Sequence, residues 1–274
     1  MRRTVGTLCL VVVGLVAVCT GCGSSGGADK AGPQPTPSDT ISKSPAVSVV
    51  AIGDSDATGI GDASSRGWVG RYGSLLKTKL GTPVAVDNRA VEGQTSDQLR
   101  TDVHQDDVLR KAVAGADVVV IGIGGADLNA GDDALSAGKC NGKVCYTKIL
   151  RRFDANISAI ASDIRHLAPH ALVRAMSLPN AFPGAGSVIP PFITAGISRY
   201  EATTERASVC RAVRSNGGRC IDVVMAFNGP SGDGDAYAKG LMTKDPCCYA
   251  SGKGQQLIAK LLVETGVDGL RKSS

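Results

Sequence analysis

The chain has 274 residues, of which 43% are hydrophobic and 20% are charged, and its net charge is +5. This composition is typical of a globular protein that buries a sizeable core. The chain has no cluster of Lys and Arg interleaved with aromatic residues, so nucleic acid is not expected as a partner.

The N-terminus has the pattern of an export signal. Arg2 and Arg3 precede an apolar run, Leu8 to Cys19, that is too short to span a bilayer. A basic start followed by a short apolar segment and small residues is typical of a secretory signal peptide. We therefore expect residues 1–21 to be removed from the mature protein.

The segment after the apolar run predicts an anchor and a tether. Thr20-Gly21-Cys22 resembles a bacterial lipoprotein signal, although Cys19 stands where Leu is usual. The pattern predicts lipidation at Cys22 and anchoring to the outer face of the cell membrane, with plain secretion as the alternative. Residues 22–45 are rich in Gly, Ser, Pro and Thr, which is typical of a disordered tether, and residues 46–270 form the folded domain.

Strands and helices alternate along the predicted domain. The expected strands are Val47–Ile52, Pro83–Val86, Val118–Ile123, Ala171–Met176 and Cys220–Met225. Helical spacing of apolar residues fills most of the intervals, except for an expected loop from Ala126 to Cys145, and a last helix runs from Ser251 to about Thr265. Such alternation predicts one three-layer α/β/α domain with a five-stranded, mostly parallel sheet.

Six cysteines remain after the signal and Cys22, and an even number in an exported chain favours disulfides. Cys140 and Cys145 flank an Asn-Gly turn, so we expect them to pair, and their closeness also favours Cys210 with Cys220. Cys247 and Cys248 then form an adjacent pair, or cross to Cys210 and Cys220. A zinc site is the alternative, but the histidines are scattered and no Cys-x-x-Cys pair occurs, so no metal is expected.

Three glycine-marked turns follow the first three predicted strands: Gly53-Asp54-Ser55, Ala90-Val91-Glu92-Gly93 and Gly124-Gly125-Ala126-Asp127. The carboxyl ends of parallel strands share one edge of a sheet, so these turns should converge. A serine beside backbone N–H groups suggests a nucleophile with an oxyanion pocket, whereas an isolated Gly-Asp-Ser is usually a surface turn. Nucleotide binding is the rival, because Gly122-Ile123-Gly124 follows a strand. That fingerprint needs a glycine where Asp127 stands, and no helix is expected to begin there.

Together these segments resemble the SGNH, or GDSL, hydrolase family of esterases and lipases over almost the whole domain. The segments similar to the family's successive sequence blocks are Gly53-Asp54-Ser55, Asn88 to Leu99, Ile123 to Leu128 and, at the start of the last helix, Gly254 to Ala259. The resemblance implies a flavodoxin-like fold without a cofactor. It also implies that Ser55 is the nucleophile and that the N–H groups of Ser55 and Gly93 are oxyanion donors.

The departures from the family pattern fall on the residues that carry the chemistry. Ala126 stands where the third block has Asn. The last block, an Asp followed by a His, corresponds here to Asp245 with either Cys248 or Tyr249 at the histidine position. Asp245 keeps the acid position, although capping of the last helix is an equally good interpretation. Tyrosine is mostly protonated at neutral pH, and a disulfide would prevent Cys248 from acting as a thiolate.

The chain's three histidines do not supply the missing base by any evident route. His166 and His170 precede the fourth strand, at the edge opposite Ser55, and Pro169 breaks the helix between them. His104 lies on a polar helical stretch, and we interpret all three as solvated or structural.

Two functions are therefore considered. The first is an esterase of low activity that acts on acyl esters of lipids or acylated glycans. The second is a non-catalytic lipoprotein that binds acyl or glycan groups in the same cleft. The apolar loop from Pro179 to Thr194 is a candidate lid over the acyl group or an ordinary connection, and a monomer is expected.

Overall fold

The computed structural model describes residues 46–141, 144–182 and 197–270, except for the side chains of residues 197–202 and of Cys247. The expected signal peptide, the tether, Cys22 and most of the candidate lid lie outside these residues and stay predictions. Within the described ranges, no helix combines the length and the apolar character needed to cross a membrane.

A five-stranded parallel sheet forms the centre of the domain, as predicted. Its strands are β1 (Val47–Gly53), β2 (Val84–Asn88), β3 (Val118–Gly122), β4 (Leu172–Met176) and β5 (Arg219–Ile221). The strand order is β2-β1-β3-β4-β5, and every neighbouring pair is parallel. The order steps outward in both directions from β1, so the loops after β1 and β3 lie side by side at the carboxyl edge.

Helices cover both faces of the sheet. One face carries α2 (Gly67–Leu80), α8 (Val223–Asn228) and α9 (Gly252–Glu264); the other carries α3 (Ser96–Gln105), α4 (Asp107–Ala114), α6 (Val144–Leu167) and α7 (Ile197–Ser215). Two further helices, α1 (Ser55–Thr58) and α5 (Gly125–Ser136), follow β1 and β3 directly. A small antiparallel hairpin, β6 (Met242–Lys244) and β7 (Cys247–Ala250), precedes α9.

Alternate residues of each central strand bury their side chains in different cores. In β1, Val49 and Ala51 pack in the cluster that contains Trp68, whereas Val50 and Ile52 pack in the cluster that contains Phe153. A strand buried on both faces needs an almost continuous apolar sequence, which explains why the sequence of β1 and of β3 predicts a strand. The three-layer α/β/α prediction is confirmed.

The predicted fifth strand is too long. Only Arg219–Ile221 is a strand, and Val223 to Met225, which we expected to extend it, belong to α8. The Asp222 carboxylate ends the strand and caps the helix, because it accepts a 3.0 Å hydrogen bond from the N–H of Met225. A short apolar run does not distinguish a strand from a buried helix.

The expected loop from Ala126 to Cys145 is also wrong in its first half, where the structure has α5. This helix begins at Gly125, directly after the β3 turn, so the argument that no helix begins there fails. The group that caps the start of the helix comes from a distant part of the sequence, the turn after β1.

Two of the predicted disulfides are confirmed. Cys140 bonds to Cys145, and Cys210 bonds to Cys220, which ties α7 to β5. The second bond rules out the alternative in which Cys247 and Cys248 cross to Cys210 and Cys220. Cys248 is itself disulfide-bonded. Because the side chain of Cys247 lies outside the described residues, the adjacent pairing stays a prediction.

Candidate active site

The site begins where β1 and β3 end together. Gly53 has a φ of +140°, and a Cβ atom added to it would collide with the carbonyl oxygen of Gly122. Only glycine therefore allows the two strands to approach this closely at their carboxyl ends. The chain turns sharply after Gly53 and places Ser55 as the first residue of α1.

Asp54 holds the two turns together. Its Oδ2 atom accepts hydrogen bonds from the N–H groups of Gly124 at 3.1 Å, Gly125 at 2.9 Å and Ala126 at 3.4 Å. The carboxylate thus supplies the cap for α5, whose own sequence lacks one. It also occupies the anion-binding position that a nucleotide phosphate would need, which is a physical argument against the nucleotide alternative.

The environment of Asp54 acts on its pKa in opposite directions. The side chain is only 2% exposed, and this burial raises the pKa, whereas the N–H groups of Gly124, Asp56, Ala126 and Gly125 lower it. Burial is the larger effect, and the pKa rises to about 6.

Ser55 and Gly93 meet as the sequence predicts. The backbone N–H of Gly93 donates a hydrogen bond to Ser55 Oγ over 3.1 Å. Gly93 has a φ of +73°, a left-handed conformation that turns its N–H group toward the serine at low cost because it has no side chain. Asn88 supports the arrangement by donating from Nδ2 to the carbonyl oxygen of Ala57 in α1, at 2.7 Å.

A pocket of about 280 Å³ opens over Ser55. The predicted site residues Ser55, Gly93, Ala126, Cys248 and Tyr249 all line it. The structure therefore brings together the residues of four separate segments, from β1 to the hairpin before α9. The described part of the candidate lid, Pro179 to Phe182, lines the pocket as well.

No histidine lines this pocket, and all three histidines of the chain lie within the described residues. His104 is on α3, 3.9 Å from the carboxylate of Asp163, with 70% of its side chain exposed. The Nδ1 atom of His166 is 2.8 Å from the carbonyl oxygen of Ser162, near the end of α6. His170 follows that helix, at the amino end of β4.

Asp245 is exposed and does not line the pocket. It does not cap the last helix either, because the N-cap of α9 is Ser251, whose Oγ accepts from the N–H of Gly254 at 3.2 Å. The structure thus gives Asp245 neither a contact with the pocket nor the alternative capping role. The disulfide at Cys248 removes its thiolate.

Sequence reasoning missed three carboxyl groups in the pocket: Asp132, which accepts a hydrogen bond from the hydroxyl of Tyr146, and the pair Asp56 and Glu205. Glu205 lies on α7 and is 1% exposed; its Oε2 accepts from the N–H of Leu178 at 3.2 Å, and Oε1 has no partner among the described residues. Asp56 directly follows the predicted nucleophile, Ser55, so its place in the sequence could have marked it as a site residue. Nothing near Glu205 in the sequence marks it as part of the site.

The carboxyl groups of Asp56 and Glu205 are both shifted toward the protonated state. Burial, followed by the charge of Asp54, raises the pKa of Asp56 to about 8, although part of the Asp56 surface stays exposed. Burial raises the pKa of Glu205 well above its usual range, and the N–H of Leu178 only partly opposes it. No group of three or more His, Cys, Asp or Glu in the described ranges is arranged to hold a metal ion.

Comparisons with known proteins identify the family and the fold of the chain. The model of the GDSL-like lipase/acylhydrolase family matches residues 51–257. Among solved structures, the lipase Lip_vut3 from a goat rumen metagenome is 20% identical and covers 80% of this chain and 97% of its own, with a TM-score of 0.67. A variant of the acetyl xylan esterase Axe2 of Geobacillus stearothermophilus is 18% identical, covers 80% and 93%, and has a TM-score of 0.57. The extracellular lipase of Streptomyces rimosus is 21% identical, covers 81% and 100%, and has a TM-score of 0.55.

Identities this low establish a shared fold only. In sequence, the uncharacterized protein YpmR of Bacillus subtilis is 29% identical over 151 residues, which cover 49% of this chain and 52% of YpmR. The chain therefore spans about half the length of this curated relative.

Proposed function

Because the chain belongs to the GDSL-like lipase/acylhydrolase family, we propose that it is an ester hydrolase of low turnover. Its substrates are acyl esters of lipids or acylated glycans, and Ser55 is its nucleophile. The observation that carries the proposal is the 3.1 Å hydrogen bond from the Gly93 N–H to Ser55 Oγ at the base of the pocket. A donor this close to the attacking oxygen is also close to the carbonyl oxygen of an ester under attack.

In this reaction, Ser55 Oγ attacks the ester carbonyl carbon and forms a tetrahedral intermediate. The N–H groups of Ser55 and Gly93 hold the negative oxygen, the alcohol leaves, and water then releases the acid from the acyl-serine. Each attack requires a base that takes a proton. The pocket offers no imidazole among its described residues, so the proton must pass to water or to a carboxylate.

The size of the missing contributions argues for slow turnover. In a measured serine hydrolase, loss of the nucleophile or of its base costs about a millionfold in turnover, and loss of one oxyanion donor costs about a hundred- to a thousandfold. Ala126 has no side-chain donor to replace the Asn of the family pattern. The contribution of the general base and that of one oxyanion donor are therefore both reduced in this chain.

Binding without turnover is the second candidate. It is favoured by one specific observation: the two candidate positions for the histidine are taken by Tyr249 and by Cys248, a disulfide-bonded residue, and both line the pocket. Neither side chain is an effective base at neutral pH.

Hydrolysis of short-chain nitrophenyl esters by the purified protein and by Ser55→Ala separates the two candidates. We expect slow turnover that is lost in Ser55→Ala, together with slow labelling of Ser55 by a fluorophosphonate probe. Equal traces of hydrolysis in both proteins, with no labelling, would support binding alone.

We also propose that the protein is an exported monomer held at the cell membrane by a lipid on Cys22. The basic residues Arg2 and Arg3, the apolar run and Thr20-Gly21-Cys22 support this proposal. Mass spectrometry of the membrane-bound protein should show a lipid on Cys22, and Cys22→Ala should release the protein from the membrane fraction. Light scattering of the tether-free domain should give the mass of one chain.

A further inference from the structure

We propose that the Ser55 pocket recognises a cationic ammonium group on its ligand through the carboxyl groups of Asp56 and Glu205. The inference rests on the proposed function for the presence of an ester in this pocket, and it adds the class of substrate. It requires binding, not turnover, so the two proposals can fail separately.

Four acidic residues line the pocket, and two of them are already engaged. The Oδ2 atom of Asp54 accepts hydrogen bonds from three N–H groups at the start of α5. Asp132 accepts a 2.5 Å hydrogen bond from the hydroxyl of Tyr146. The Oε1 atom of Glu205 has no such partner among the described residues, and only burial and the charge of Asp54, not a hydrogen bond, shift the pKa of the Asp56 carboxyl.

The position of Glu205 points to a ligand. Its side chain is 1% exposed and lines the pocket, and Leu178 satisfies only one of its two oxygens. A buried polar atom without a partner is costly, and such atoms in folded proteins call for an explanation. A positive charge on a bound molecule would stabilise the ionised form of this carboxyl group, and a protonated ammonium would also donate a hydrogen bond to Oε1.

The side chains that line the pocket favour a cation over an anion. Among the described residues, no Lys, Arg or His lines it, although the chain as a whole carries a net charge of +5. Burial is the main cause of the raised pKa values of Asp56 and Glu205, and the charge of Asp54 adds to it. A bound cation reverses the effect: it favours the ionised carboxylates and releases protons.

The side chains that line the pocket favour a compact organic cation as the ligand over a metal ion. The aromatic side chains of Phe182 and Tyr249 line the pocket, and aromatic faces attract ammonium groups. The described residues do not provide three clustered metal ligands. A volume of about 280 Å³ suits a small aminoalkyl or choline-type ester.

Acetylcholine and 3,3-dimethylbutyl acetate provide a matched pair of probes, because they have nearly the same shape and differ in charge. Their affinities are measured by calorimetry on Ser55→Ala, in which turnover is absent. We expect acetylcholine to bind about tenfold more tightly than the neutral ester and to release protons at pH 7. Equal affinities, or proton uptake on binding of acetylcholine, would overturn the inference.

Variants of Asp56 and Glu205 test whether these two residues cause the preference for the cationic ester. In the Ser55→Ala background, Asp56→Asn and Glu205→Gln should each reduce the preference for acetylcholine several-fold, whereas Asp107→Asn removes a charge outside the pocket and should leave it unchanged. A preference that survives both pocket variants, with melting curves showing that they fold, would contradict the assignment. If the preference holds but the native protein does not hydrolyse esters, only the proposed hydrolysis fails.

Discussion

The backbone N–H of Gly93 donates a hydrogen bond to Oγ of Ser55, a residue 38 positions earlier in the chain. The two residues follow β2 and β1, which are neighbours in the sheet. The sheet itself therefore brings together the predicted nucleophile and one predicted oxyanion donor. In the family pattern the proton acceptor comes from the segment before the last helix, where this chain carries Cys248 and Tyr249.

Restoring the missing groups should raise the rate of hydrolysis. Tyr249→His combined with Ala126→Asn adds an imidazole and an amide donor to the walls of the same pocket. We expect nitrophenyl acetate turnover to increase about a hundredfold, since positioned general bases contribute on this scale. The matched control, Tyr249→Phe, should give no increase. A folded double variant with an unchanged rate would show that the pocket has lost more than these two groups.

The central part of the fold was predictable because its signals are local. β1 and β3 are buried on both faces and so form continuous apolar runs, and Gly53 marks the turn after β1. The bonds Cys140–Cys145 and Cys210–Cys220 join cysteines that are close in sequence. The last helix was also predicted, with Ser251 at its start.

Two of the failures have a common physical cause, because in each the deciding contact is distant in sequence. The cap of α5 is the carboxylate of Asp54, 71 positions before Gly125. Glu205 enters the pocket because α7 packs against the sheet, and no nearby motif signals this burial. The α8 error is different: its apolar residues fit a strand or a helix equally well, and the Asp222 cap decides between them.

Replacing Gly53 should be far more damaging than replacing another left-handed glycine. In Gly53→Ala, the new methyl group meets the carbonyl oxygen of Gly122, so β1 and β3 must separate at the site. We expect the free energy of unfolding in urea to fall by at least about 3 kcal/mol. Gly81→Ala is the matched control: Gly81 has a φ of +67° with no atom within 4 Å of an added Cβ, so it should lose about 1 kcal/mol. Equal losses would mean that the contact with Gly122 is unimportant.

The carboxyl groups of the pocket should make the protein less stable at alkaline pH. The pKa is raised to about 6 for Asp54 and to about 8 for Asp56, and it is raised for Glu205 as well. Between their unfolded and folded pKa values, these groups bind more protons in the folded state, so stability falls as the pH rises from about 4 to 8. We expect the melting temperature to be lower at pH 8 than at pH 5, by about 5 °C or more.

The control for this effect is Glu205→Gln, which keeps an acceptor for the N–H of Leu178 but does not ionise. It should reduce the difference in melting temperature between pH 5 and pH 8. Asp127, whose pKa burial also raises, adds to the same trend. Asp62 and Asp97 act in the opposite sense, because their pKa values are lowered beside Arg71 and Arg152. Their contribution to the stability of the folded state is therefore lost only as the pH falls below about 4. A higher melting temperature at pH 8 would contradict the prediction.

Measurements of stability test whether Ser251 or Asp245 caps the start of α9. Ser251 Oγ accepts a hydrogen bond from Gly254 and donates a 2.7 Å hydrogen bond to the carbonyl oxygen of Gly240. Ser251→Ala should therefore lower the free energy of unfolding by about 1 kcal/mol, the usual cost of losing an N-cap. Asp245→Ala alters an exposed residue and should stay within about 0.5 kcal/mol of the native protein. If urea unfolding gave the reverse order, Asp245 rather than Ser251 would be the residue that stabilises the last helix.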